Sequence, residues 1–109
     1  MNLDWPVLAA YFFGGAFACN ALPHFVAGVS GRPFQSPFAK PPGEGLSSST
    51  VNVLWGFANL VAAYFLVLRV GMFDPRNTAH IGAFALGVLL LAVFCAGHFG
   101  RFNGGNKPV

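Results

Sequence analysis

With 109 residues, a net charge of +3 and 8% charged side chains against 55% hydrophobic ones, the chain has too little polar surface to cover a soluble globule. Its six Lys and Arg stand singly, without a cluster or stripe, which argues against a nucleic-acid interface. The two cysteines, Cys19 and Cys95, both lie in apolar stretches and are expected as free thiols rather than as a disulfide.

Residues 5–31, 45–68 and 77–100 carry no charged side chain. Each run is long enough to cross a bilayer, since about 20 apolar residues at about 1.5 Å rise cover its hydrocarbon core. The expected fold is an all-α integral membrane protein, a single membrane domain over 1–109. Its three transmembrane helices, at about 5–28, 50–70 and 78–99, form a small bundle with a Pro/Gly-rich interfacial loop at 30–49 and a polar tail at 100–109.

The first helix opens with Asp4 as a cap, Pro6 in the first turn and Trp5 for the interfacial aromatic belt. Ala16-Phe17-Ala18 before Cys19 resembles a processing site. The segment before it has Asp4 and no basic residue, so the first helix is expected to be retained. Pro23 removes one backbone donor, and the apolar residues beyond it favour a kinked continuation over a stop. The loop that follows is too rich in Pro, Gly and Ser for regular helix or sheet. Phe34 and Phe38, bracketed by Arg32 and Lys40, suit an ordered loop folded over the helix ends. Ser47 to Thr50 supply caps for the second helix. Gly71 to Arg76 make a tight turn broken by Asp74-Pro75, and Asn77 or Thr78 caps the third helix. Arg32, Lys40, Arg101 and Lys107 fall on the side of the loop and tail, and Arg69 and Arg76 on the other. The basic excess places the long loop and C-terminus in the cytoplasm and the N-terminus outside, with a bacterial inner membrane as the expected location.

The strongly polar residues gather toward the loop end. Asn20 and His24 are four apart and share one side of the first helix. Asn52, Gly56, Asn59 and Ala63 form a stripe of polar and small residues on the second, which is expected to face protein rather than lipid. Ala79, Ala83 and Gly87 give the third helix a small-residue packing seam, and His98 lies near its loop end. The plain reading is that the asparagines hydrogen-bond between helices. A sharper one is a polar cavity under the loop, with Asn20, His24 and Asn59 as ligand contacts.

His24 and His98 lie at similar depth and could in principle ligate a b-type haem. A zinc set of Cys19, His24, Cys95 and His98 is disfavoured by its spacing, and no metal site is expected. No Asp, Glu, Lys or Arg lies within the uncharged runs, which argues against an ion-coupled pump or transporter. There is no Cys-x-x-Cys, phosphate-binding glycine loop or Ser-His-Asp set. The expected function is therefore non-catalytic: an accessory or assembly subunit of a larger membrane complex, or a homo-oligomer. Its partners would be lipid, other transmembrane subunits or itself. Small-molecule or lipid binding or transport through the cytoplasmic-leaflet pocket is the first alternative, and a haem-carrying redox subunit the second.

Overall fold

The computed structural model describes residues 3–105. Lys107 and positions 106–109 of the expected tail lie outside the described residues. Among the described residues, three helices are long and apolar enough to cross a membrane by length and composition.

Helix α1 runs Trp5–Val29, capped by Asp4, whose carboxylate accepts from the Val7 amide at 3.4 Å. It passes through Pro23 without ending, although proline withholds the donor that the carbonyl four residues earlier would use. Ser30 and Gly31, the latter at φ 74°, then turn the chain out of the helix.

The loop departs from the expectation that it could hold no sheet. Strands β1 (Phe34–Gln35) and β2 (Leu46–Ser47) pair antiparallel, Phe34 opposite Ser47. Two-residue strands leave no periodicity to read, and this pairing depends on side chains beneath it.

Helix α2 spans Ser49–Tyr64, capped by the Ser48 hydroxyl, which accepts from the Val51 amide at 3.2 Å. Its end differs from the single α-helix expected to residue 70: the last turn, Phe65–Arg69, is π-helical. Asn77 caps α3, accepting from the Ala79 and His80 amides.

Helix α3 covers Thr78–Asn103, a turn beyond the expected end at 99, so the first part of the expected tail is helix. Arg101 ends the apolar run but not the helix. Gly100 is buried and Asn103 bonds back to the loop, with Gly104 closing the helix at φ 80°.

Helix α1 is the centre of the assembly. It packs against both α2 and α3, while α2 and α3 meet each other at most marginally. Bare backbone makes the close approaches possible. A Cβ added at Gly87 would overlap the Phe12 carbonyl oxygen, and one at Gly15 would overlap that of Phe84, so α1 and α3 cross here with nothing between them. On the other side a Cβ at Gly56 would lie 2.8 Å from the Phe25 amide nitrogen. The buried residues of α2 are Asn52, Gly56, Asn59 and Ala63, and all of α3 is at least partly exposed except Gly87 and Gly100.

Candidate functional site

The site lies at the loop end, where α2 and α3 separate on either side of α1. Asn52 organises it. This residue is fully buried, and its amide nitrogen lies 3.1 Å from the Phe34 carbonyl, 3.2 Å from that of Ser47 and 3.0 Å from that of Ser48. Three surrounding carbonyls fix the amide: only the NH2 end can face them, so Oδ1 points the other way, 2.8 Å from His24 Nδ1. An amide oxygen is purely an acceptor. Nδ1 of His24 therefore carries the proton, and in the neutral ring Nε2 holds the lone pair. One side chain thus joins α1 to α2 and fastens both loop strands, which is why so short a sheet forms.

His24 is 2% exposed and sits in an aromatic box, edge-on to Phe34, Trp55 and Phe99 at centroid distances of 5.6, 6.4 and 5.7 Å. One turn deeper, Asn20 donates to Asn59 Oδ1 at 3.0 Å, and Asn59 spends its own NH2 on the Trp55 carbonyl at 2.8 Å. The Cys95 thiol lies 3.9 Å from Asn20 Oδ1, extending the chain of contacts from α3 through α1 to α2.

His98 holds the loop to α3. Its Nε2 is 2.6 Å from the Gly43 carbonyl, which can only accept, so this nitrogen is protonated. The ring stacks on Phe94 at 7° and a centroid distance of 5.7 Å. Asn103 donates to Gln35 Oε1 at 3.2 Å, and the Ser36 and Ser47 hydroxyls meet at 2.5 Å.

These contacts border a partly open recess of about 280 Å³. Asn20 and His24 line it from α1, Trp55 from α2, Phe94, His98 and Phe99 from α3, and residues 35–37 and 43 from the loop. Asn52 and Asn59 stand behind the wall, holding His24 and Asn20.

The two histidines weighed as a haem pair are each engaged with protein groups here. His98 Nε2 is committed to Gly43, and the Phe99 ring lies against both imidazoles, 5.7 Å from His24 and 5.1 Å from His98. Cys19, His24, Cys95 and His98 do not gather as a metal set; among the described residues no three His, Cys, Asp or Glu do.

The expected seam on α3 is uneven. Gly87 is buried against α1, while Ala79 and Ala83 are only half-buried.

Sequence reasoning missed Gln35 and Ser36, buried although they lie in a Pro-rich loop, and Trp55 and Phe99, which wall the space. Trp55 had a signal: it follows Asn52 by three and precedes Asn59 by four, on the edge of the polar stripe. It also missed a cluster at the opposite end. Tyr11, fully buried, packs edge-on to Phe73 and His80 at 5.0 and 4.9 Å, and its hydroxyl has no partner among the described residues.

Comparison with family models, with curated proteins and with solved structures finds nothing that matches this chain.

Proposed function

We propose that the chain is a non-catalytic integral membrane protein that binds a small amphiphilic molecule in the space beneath its loop. The observation that carries this reading is a partly open recess at the loop end. About 280 Å³ is walled by all three helices and the loop, with His24 held by Asn52 in one tautomer facing it. The polar stripe of α2 could also have served a partner helix. Its asparagines instead bond within the chain, to Asn20 and His24, and Gly56 lies against Phe25. That internal satisfaction favours a self-contained bundle over one completed by another subunit. In the orientation we propose, the loop and the site face the cytoplasm of a bacterial inner membrane, because Arg32, Lys40 and Arg101 lie at this end.

The test is native mass spectrometry of the protein released from mild detergent. Wild type should retain a small-molecule adduct. Asn20→Leu should lose it while remaining helical and at the same oligomeric state. Absence of any adduct, or one equally retained by Asn20→Leu, would refute the reading.

A second reading, an accessory subunit or homo-oligomer, is favoured by one observation: α3 turns nearly its whole length outward. It predicts a stoichiometric protein partner or a second copy after the same gentle extraction, and a monomer would end it.

A further inference from the structure

We infer that the molecule bound in this space is a quinone-class lipid, its ring beneath the loop and its tail in the adjoining groove between α1 and α3. The inference rests on the ligand-binding reading above. The groove has a volume of about 380 Å³ and is almost wholly apolar, walled by side chains such as Phe12, Phe17 and Leu91. Asn20 and Phe94 line both it and the space beneath the loop, so head and tail compartments share a boundary. Together they reach the range of small-molecule sites, roughly 300–1,000 Å³.

The chemistry of the walls selects the head. Among the described residues, neither compartment is lined by Asp, Glu, Lys or Arg. A phosphate, carboxylate or ammonium head would lose its hydration there with no counter-charge in return, which disfavours phospholipids and fatty acids. Five of the ten residues around the head space are rings: His24, Trp55, Phe94, His98 and Phe99. Such walls suit a flat ring, which can stack or meet them edge-on. Two polar groups are available to it. In the neutral His24 ring, Nε2 is an acceptor, because Asn52 holds the proton on Nδ1. Asn20 lines both compartments, and its Nδ2 has a second hydrogen beyond the one given to Asn59. A ring bearing an oxygen on each of two opposite edges can give a hydrogen bond to His24 in its quinol form and take one from Asn20. A long-chain alcohol has one oxygen and no ring.

The experiment uses the full chain in detergent micelles with Trp5→Phe, which leaves Trp55 as the one indole of the two in the sequence. Decyl-ubiquinone and its reduced quinol, which alone can donate to His24 Nε2 and should bind the more tightly, are each titrated against Trp55 fluorescence, with 1-decanol and dioleoylphosphatidylglycerol as comparison probes. The expected result is saturable quenching by the quinone that neither comparison probe displaces. Phe94→Ala, at a position 62% exposed and so removable without loss of the fold, should weaken binding about threefold to tenfold. Quenching that rises linearly and ignores Phe94→Ala would mean that the quinone is merely dissolved in the micelle, and overturns the inference. If decanol or phosphatidylglycerol instead shifts Trp55 emission saturably while the quinone does not compete, the quinone inference falls and the binding site stands. If no probe saturates, both fall.

Discussion

Replacing Asn52 with Leu should release the loop and loosen α1 from α2 at once. Leucine repeats the branching of asparagine and is larger, so the change removes hydrogen bonds without leaving a cavity, and the buried Asn59→Leu control carries the same excess of volume. It strands the buried His24 Nδ1–H, whose acceptor is Asn52 Oδ1, and removes the donor shared by the Phe34 and Ser47 carbonyls. The Ser48 carbonyl also accepts from the Asn52 backbone amide and is not stranded. Leaving the His24 donor unpaired costs about 1–3 kcal/mol, and the two strand carbonyls add about 1 kcal/mol, for a total of about 2–4 kcal/mol. Asn59→Leu is the matched control. It breaks one interhelical contact, with Asn20, worth about 1 kcal/mol or less between membrane helices. The two variants should therefore differ by about 2 kcal/mol, roughly 30-fold in the population of the opened state.

Two assays read this difference: SDS titration followed by circular dichroism, and limited proteolysis with an enzyme that cuts after glutamate. The chain has one glutamate, Glu44, exposed on the loop. Asn52→Leu should accelerate cleavage there by an order of magnitude or more, and Asn59→Leu hardly at all. Equal unfolding midpoints, or an unchanged cleavage rate in Asn52→Leu, would refute the assignment of Asn52 as the common fastening of loop and helices.

Two further outcomes follow from the packing. Gly87→Ala should weaken the α1–α3 crossing by about 1–3 kcal/mol, because its Cβ would overlap the Phe12 carbonyl. Gly82→Ala on the same helix meets no atom within 4 Å and should be neutral or slightly stabilising, so equal effects in thermal unfolding would refute the crossing geometry. Tyr11→Phe removes a buried hydroxyl with no partner among the described residues and should leave the unfolding midpoint unchanged or raise it, whereas a loss of more than about 1 kcal/mol would mean that the hydroxyl is bonded.

The helices were legible because membrane depth imposes length and excludes charge, a constraint that any 20-residue window displays. The α2 stripe was legible for a related reason: a 4-3-4 spacing of Asn, Gly, Asn and Ala can only lie on one face of a helix. The loop was not. Its two strands owe their pairing to Asn52, a residue on the following helix, and no local pattern in the loop encodes a distant donor. The end of α3 was misplaced because Arg101 marks where the apolar environment stops, while the backbone continues for another turn. The histidine pair was suggestive by depth alone. What decides against a shared iron is Phe99, one residue from His98, and a loop carbonyl fixed by chain folding.

The central place of α1 also has a mechanical consequence. Two arms that share a spine but scarcely touch each other have one soft coordinate, the angle between them. Near the spine that angle is fixed by backbone-to-backbone crossings at Gly56 and Gly87. At the open end, among the described residues, the loop ties arm to arm, pinned to one side by Asn52 and to the other by His98 and Asn103. The loop therefore works as a clasp in tension. Cutting it, or freeing either pin, should let α2 and α3 spread at that end while both stay seated on α1, a change that a distance probe across the arms would register before any helix melts.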